Sequence, residues 1–576
     1  MHLKIAVPQA KEPLASVEEH TRATVRTLFQ LLESQGQSKY LGEQVTQLEH
    51  SLQCAHLATQ SPTHGDDLEV ILAALFHDIG RFIPDGQYIG RQSHEILGET
   101  FLREIGFSEK VCKLVGQDQV REAQHDPLLE AKLAVRRCVE LAKEPGCEVP
   151  PLEAYEELAY QCLIKSRSKF TLHSKTYNLP TQPTVVICID GFDPDYLKSG
   201  IEKGLLPTFR KFLVHGFHAT AKSCMPSFTN PNNVSIITGA PPSAHGIAGN
   251  FFLDRKTGEA KMITDDSLLR GSTLLEQMSR RGVRVAAITA KDKLRRILAH
   301  GLKGAICFSS EKAADCTLEE NGISDVEQWL GRPAPSQYSS DLSLFVLDAG
   351  IKLLEEKRSD ILYLTLSDYI QHKHEPGSPE ADSFLSAIDE CLQRLATLAP
   401  VIGVTGDHGM SNKSNEAGEP NVIFLEDVLN AEFGPNASRV ICPITDPFVR
   451  HHGALGSFVR VYLKDISQLQ SVISFCESLP DVELALSGPV AAQRYEMPLD
   501  READIVVISK PHAVIGSSKA NHDLSGLRGH PLRSHGGLSE QDIPVIMSKR
   551  VNDGSKAKAK RWRNYDIFDL VLNWSA

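Results

Sequence analysis

Two hydrophobic patterns divide the chain. Up to about residue 170 apolar residues recur at helical spacing, in one stripe over Glu18–Leu32 and another over Glu43–Leu57, and Val70–Phe76 is apolar throughout. Beyond about residue 180 short apolar runs take over: Thr184–Ile189, Ile361–Leu366 and Val401–Val404, with Val283–Thr289 as a further strand-like run. Runs of this length, apolar on both alternating faces, predict strands buried on two sides of a mostly parallel sheet. Helical stretches such as Pro194–Glu202 and Leu206–Val214 lie between them. Lys165–Gln182 is polar and leads into Leu179-Pro180-Thr181-Gln182-Pro183, which predicts a linker. The expected architecture is an all-helical domain, residues 1–177, followed by an α/β domain, residues 178–576. Residues 410–530 mix loops with strand-like runs (Phe458–Leu463, Ala503–Ser509) and predict a cap with edge strands.

Three of the buried runs lead into carboxylates: Asp190, Asp368 and Asp407. A carboxylate at the C-terminal edge of a buried parallel strand lies where open α/β sheets bind ligands. Taken singly, each is equally a helix N-cap. Asp368 is one helical turn from His372, His408 adjoins Asp407, and His535 sits in Leu532–Gly537. Carboxylates with imidazoles form a ligand set that zinc accepts, so three strand ends of this kind predict one shared metal site.

Thr229 lies in Pro226-Ser227-Phe228-Thr229-Asn230-Pro231-Asn232-Asn233. It reads as a cap, or as a nucleophile where a metal lowers its hydroxyl pKa. The prolines and asparagines predict a short turn at Thr229 that feeds a helix over Asn232–Thr238. The N-terminus of such a helix can hold a phosphoryl oxygen. Asn250, beside Gly249, reads as a turn residue or as an amide donor. Lys291 and Lys293, at the end of the Val283–Thr289 run, read as solvated surface or as the border of the site.

Composition narrows the classes. A length of 576 residues predicts at least two domains, and 41% hydrophobic residues permit a real core. A net charge of −12 without a strong basic patch argues against nucleic acid as a partner, while leaving room for a local anion site. The twelve cysteines contain no C-x-x-C pair, which predicts reduced thiols in the cytoplasm. No secretory h-region is evident in MHLKIAVPQAKEPLASVEEH, and no apolar run approaches the ~20 residues of a membrane helix. In the helical half, the His77-Asp78 doublet at the end of an apolar helix is a candidate metal-binding pair, with His50 and His94 on flanking helices. A lone buried histidine is more often an ordinary core residue, so the doublet carries this reading.

From about residue 180 the pieces CIDGFDPDYL, PSFTNPNNVSIITGAPPSAHGIAGNFF, SDYIQHK, GDHGM, DREADIVVISKPHAVIG and LRSHGGLSEQDIPVI resemble the alkaline phosphatase superfamily of two-metal enzymes. Within it they resemble the phosphonoacetate hydrolase branch. The resemblance implies an α/β fold with a mostly parallel sheet, helices on both faces and a cap. It implies one zinc on Asp190, Asp407, His408 and the Thr229 hydroxyl, and a second on Asp368, His372 and His535. Thr229 would attack phosphorus, Asn250 would donate to a phosphonate oxygen, and Lys291 and Lys293 would neutralise a substrate carboxylate. The implied reaction releases acetate and phosphate from a small phosphonate, in phosphonate catabolism. A nucleotide phosphodiesterase or phosphomonoesterase of the same superfamily is the alternative.

The pieces EHSLQCAHLA and LFHDIG resemble the HD-domain superfamily, in its di-iron phosphonate oxygenase branch. This implies iron or another metal on His50, His77, Asp78 and His94. The branch has a further histidine where this chain reads Val115-Gly116-Gln117-Asp118-Gln119-Val120, and His125 stands in a different setting. A partly degenerate domain with weak or absent oxygenase activity is therefore expected. A binding or assembly module, an active oxygenase and a homodimer all stay open.

Overall fold

The computed structural model describes residues 17–40, 42–83, 93–116, 126–415, 417–446, 453–527 and 531–576. His125 lies outside the described residues. The chain forms two compact units, Met1–Phe170 and Thr171–Ala576.

The first unit is built from α1 (Val17–Gln35), α2 (Gln47–Thr59), α3 (Leu68–Phe76), α4 (His94–Ile105), α5 (Glu109–Val115), α6 (Leu129–Leu141) and α7 (Glu156–Arg167). Helix α3 is apolar from Val70 to Phe76 because α2, α5, α6 and α7 surround it. Helix α2 starts later than the apolar stripe suggested. A reciprocal capping box sets its first turn: the Thr46 hydroxyl accepts the Glu49 N–H and the Glu49 carboxylate accepts the Thr46 N–H.

The stretch expected to be a linker is ordered. After α7 ends, Lys169–Leu172 and Lys175–Asn178 pair as a hairpin. Its turn residues His173 and Ser174 have φ of 48° and 62°. Phe170 and Tyr177 are buried on these strands, so apolar anchoring overrides the polar composition. The division between the units falls after Phe170, earlier than the expected end at residue 177.

The second unit is organised on a seven-stranded sheet: β1 (Thr184–Ile189), β2 (Phe217–Lys222), β3 (Val285–Thr289), β4 (Ile306–Ser309), β5 (Ile361–Thr365), β6 (Val401–Gly406) and β7 (Asp542–Met547), in spatial order β2-β7-β6-β1-β5-β3-β4. Strands β6, β1, β5, β3 and β4 run parallel, whereas β7 is antiparallel to both β6 and β2. Every residue of β1, β3, β5 and β6 is buried, which is why these runs are apolar without alternation. Gly406 pairs with Ile189, so Asp407 and Asp190 emerge side by side.

The Thr229 segment differs from expectation. A regular helix covers Thr229–Thr238 and is buried along its whole length. Pro231 falls in its first turn, where a missing N–H costs nothing, so the prolines do not delay the start.

A smaller antiparallel sheet, ordered Ser438–Ile441, Phe458–Leu463, Ile505–Ser509 and Val482–Ser487, forms the cap with its own core. Met225 and Phe228 insert into that core. A buried ion pair joins the two loops that carry His408 and His535: Lys413 Nζ donates to Glu540 Oε1 at 2.9 Å, and Glu540 Oε2 accepts the Gly537 N–H at 2.9 Å. Gly536, between His535 and Gly537, has φ of 117°, and a Cβ there would fall against the Phe228 ring. Gly536→Ala should therefore destabilise the second unit by about 1–3 kcal/mol in urea unfolding. Gly554→Ala, where a Cβ meets open space, should be neutral within about 0.5 kcal/mol.

Candidate active site

The C-terminal ends of β1, β5 and β6 bring Asp190, Asp368 and Asp407 to one edge of the sheet, all of them buried. Three imidazoles join them. His372 Nε2 lies 3.1 Å from Asp368 Oδ2, and His408 Nε2 lies 3.2 Å from Asp190 Oδ1. The His408 and His535 rings stack with centroids 3.6 Å apart. Donor atoms of Asp368, His372 and His535 lie within 4.8 Å of one another, as do those of Asp190, Asp368 and His408. Three strand ends, the first turn of one helix and one loop thus deliver all seven candidate ligands, Thr229 included, to one cradle.

The imidazoles share one constraint. Nδ1 of His372 lies 2.9 Å from Arg533 O, Nδ1 of His408 lies 2.9 Å from Gly409 O, and Nδ1 of His535 lies 2.7 Å from Ser227 O. A ring donating Nδ1–H to a carbonyl presents the Nε2 lone pair on its other side. For His372 and His408 that side faces carboxylate oxygens, acceptor against acceptor. Asp190 Oδ1 is buried without a hydrogen bond. A second proton or a cation must bridge such pairs, and a donor set of carboxylates and imidazoles fits zinc.

The electrostatics agree. Burial, then Asp190, pushes the Asp407 carboxyl well up. Asp368 is held well below its usual range: burial opposes ionisation, but Lys291 and His372 outweigh it. His408 resists burial and rises to about 9 because Asp407 and Asp190 flank it. Lys291 Nζ is the cation already in place, donating to Asp190 Oδ2 at 2.7 Å and Asp368 Oδ1 at 2.9 Å.

Thr229 opens its helix with the hydroxyl 3.5 Å from His408 Nε2. Asn250 Oδ1 accepts the Asn230 N–H at 3.0 Å, which turns the amide nitrogen toward Ile444 O, 3.4 Å away. Lys293 is buried and meets Asp446. Neither lysine is solvated surface.

Two residues escaped the sequence reading. Asp446 belongs to no motif. Asn233 Nδ2 donates to Asp407 Oδ2 and Thr229 O, each at 3.1 Å, while its Oδ1 accepts from Tyr363 and Thr365. Its place one turn after Thr229 was the only available signal.

In the helical unit, His50, His77, Asp78 and His94 also converge. His50 Nε2 lies 3.1 Å from His77 Nε2, His77 Nε2 lies 3.4 Å from Asp78 Oδ2, and His94 Nε2 lies 3.0 Å from Asp78 Oδ1. Cys54, Arg81 and Tyr40 surround them and were not anticipated as members of the cluster.

A mostly parallel sheet with a carboxylate–imidazole cradle at its strand ends, closed by a cap, defines an alkaline-phosphatase-like hydrolase. The family model for type I phosphodiesterase / nucleotide pyrophosphatase matches residues 184–537, and the chain belongs to that family. An HD-domain model matches residues 48–142. The phosphonoacetate hydrolase of Sinorhizobium meliloti 1021, solved with phosphonoformate and with phosphonoacetate, is 44% identical. The match covers 71% of this chain and 99% of that one, with a TM-score of 0.68. The hydroxymethylphosphonate dioxygenase of Gimesia maris is 29% identical, over 25% of this chain and 89% of that protein. A phosphonoacetate hydrolase of Penicillium oxalicum is 55% identical over 40 residues, 7% of this chain and 56% of that sequence. No helix among the described residues is long and apolar enough to cross a membrane.

Lys291→Met should destabilise the protein in chelator by about 3–5 kcal/mol, because it leaves Asp190 and Asp368 buried against each other. The loss should shrink once zinc is supplied, since the same carboxylates regain a cation. Urea unfolding with and without zinc checks both parts.

Proposed function

We propose that the second unit hydrolyses the carbon–phosphorus bond of phosphonoacetate to acetate and phosphate, with two zinc ions and Thr229 as nucleophile. The observation that carries this reading is the pair of buried lysines, Lys291 and Lys293, at the edge of the carboxylate cradle. A substrate with a carboxylate next to its phosphonate needs such cations. The likeness to the Sinorhizobium meliloti enzyme supports the same substrate. A nucleotide would instead call for a stacking surface for its base.

Asp190, Asp407 and His408, with the Thr229 hydroxyl, would hold one zinc, and Asp368, His372 and His535 the other. When bound, the cations polarise the phosphoryl group and lower the pKa of the Thr229 hydroxyl. The chain supplies the rest. Thr229 Oγ attacks phosphorus from the first turn of its helix, whose dipole favours the phosphoryl oxygens. The Asn250 amide, held by Asn230, donates to one of these oxygens. Lys291 and Lys293 neutralise the charge that builds on the substrate carboxylate as the leaving carbon departs in enolate form, which takes up a proton to become acetate. Water then cleaves the Thr229 Oγ–phosphorus bond, releasing phosphate and restoring the hydroxyl. Burial of the site keeps bulk water away and strengthens each of these contacts.

The helical unit is proposed to bind a transition metal such as iron through the cluster of His50, His77, Asp78 and His94, with little or no oxygenase turnover of its own. Small phosphonates are the expected substrate class of the chain. Twelve unpaired cysteines suit a reducing cytoplasm.

Thr229→Ala should cut phosphonoacetate turnover by about 10⁴-fold or more while the zinc content stays near that of the parent. Phosphate release and metal analysis on the same sample test this, and a variant keeping a tenth of the activity would refute Thr229 as nucleophile. Lys293→Ala should lower kcat/KM for phosphonoacetate by about 100-fold and change hydrolysis of an aryl phosphate ester much less. Equal losses on the two substrates would assign the lysine to the phosphoryl group.

A further inference from the structure

The cluster in the helical unit can be resolved atom by atom. His50 Nδ1 lies 2.6 Å from Ala142 O, and His77 Nδ1 lies 2.8 Å from Ala74 O. Both rings therefore carry a proton on Nδ1, and their Nε2 lone pairs meet at 3.1 Å. Cys54, one turn along α2 from His50, places Sγ 3.8 Å from His50 Nε2. Asp78 uses its two oxygens differently. Oδ1 accepts from Arg81 Nε at 3.0 Å and lies 3.0 Å from His94 Nε2. Oδ2 is buried without a hydrogen bond and lies 3.4 Å from His77 Nε2.

Three of these spacings approach the edges of a tetrahedral site, with the donors of His50, Cys54 and His77 within 4.8 Å of one another and Asp78 Oδ2 adjoining them through His77. With metal–nitrogen and metal–oxygen bonds of about 2.0–2.1 Å and a metal–sulfur bond of about 2.3 Å, the edges are roughly 3.3 Å for nitrogen–nitrogen and nitrogen–oxygen, and roughly 3.6 Å for nitrogen–sulfur. The observed edges of 3.1, 3.4 and 3.8 Å follow that order. His94 does not belong to the figure. Its Nε2 lies 2.9 Å from Arg81 NH2, where a bound cation would face a guanidinium. Arg81 instead orients Asp78 by donating to Oδ1, and another of its nitrogens donates to His94 Nε2.

We propose that the helical unit holds a single thiophilic divalent cation, of the zinc type, on His50 Nε2, His77 Nε2, Cys54 Sγ and Asp78 Oδ2. The inference rests on the reading of this unit as a metal-binding module, and it replaces His94 by Cys54 in the ligand set. Charge supports it. Within the ligand set one thiolate and one carboxylate balance one divalent cation, while the partly exposed Arg81 meets the other oxygen of Asp78. Binding releases the Cys54 thiol proton to solvent as the sulfur–metal bond forms. Four protein donors close the coordination sphere, leaving no open position for oxygen. A soft thiolate also favours zinc over a di-iron pair.

Cobalt(II) titration of the full chain tests this, because the ligands of the second unit contain no sulfur. A near-ultraviolet thiolate-to-cobalt charge-transfer band therefore reports the helical unit alone. The band should be present in the parent protein, absent in Cys54→Ser and Cys54→Ala with the helical circular dichroism retained, and preserved in His94→Ala. Zinc competition should show the Cys54 variants weakened at this site by more than about 100-fold. Absence of the band in the parent, with His50→Ala lowering cobalt stoichiometry by one, would overturn the thiolate and leave the metal module standing. Persistence of the band in Cys54→Ser would overturn the assignment to this thiol, and its loss in His94→Ala would overturn the exclusion of that ring. Unchanged stoichiometry in His50→Ala would overturn the metal-binding reading itself.

Discussion

Five buried or nearly buried imidazoles depend on the same bond. His50, His77, His372, His408 and His535 each place Nδ1 within hydrogen-bonding distance of a main-chain carbonyl. That bond fixes the tautomer and aims the Nε2 lone pair inward, which a metal-binding ring requires. It also constrains the backbone, because each carbonyl must be delivered by a particular segment. Ser227 O, which holds His535, lies two residues before Thr229, so the tether of an imidazole and the position of the hydroxyl are set by one stretch of chain. The burial of Phe228 in the cap core and the positive φ of Gly536 serve the same junction from its two sides.

The second dependency is charge. Three carboxylates buried at adjacent strand ends repel one another strongly in a medium of low dielectric. Their opposed shifts, Asp407 up and Asp368 down, are the signature of a cluster that cannot ionise fully without cations. Lys291 supplies one such charge across Asp190 and Asp368. Asn233 solves a different problem: by donating to Asp407 Oδ2 from the helix of Thr229, it holds that carboxylate without adding charge. A neutral donor beside a crowded carboxylate orients it and leaves room for a metal to balance the charge.

The two units show one tether used with different donors. In the zinc site proposed for the second unit the imidazoles stand with oxygen donors and no sulfur, a set suited to polarising a phosphoryl group. In the helical unit a cysteine sits among them and the neighbouring carboxylate has one oxygen occupied. Softness and closure there suit holding a metal more than exposing it to substrate.

Much of this was legible in the chain. Uninterrupted apolar runs announced doubly buried strands, and Asp190, Asp368 and Asp407 stood at their ends because a parallel sheet gathers its strand termini on one edge. Asp368 and His372 were connected by helical spacing alone. Other features were not legible, because they depend on distances between segments far apart in sequence. Nothing local pairs Lys293 with Asp446, ties His535 to Ser227, or turns Cys54 toward His77. The polar run after residue 165 resembled a linker until buried Phe170 and Tyr177 showed it to be a hairpin. The prolines around Thr229 suggested a broken helix, although Pro231 falls where a helix tolerates it. Residue order determined which side chains could reach the sheet edge. Tertiary packing alone decided which carbonyl each imidazole would meet, and so where its lone pair would point.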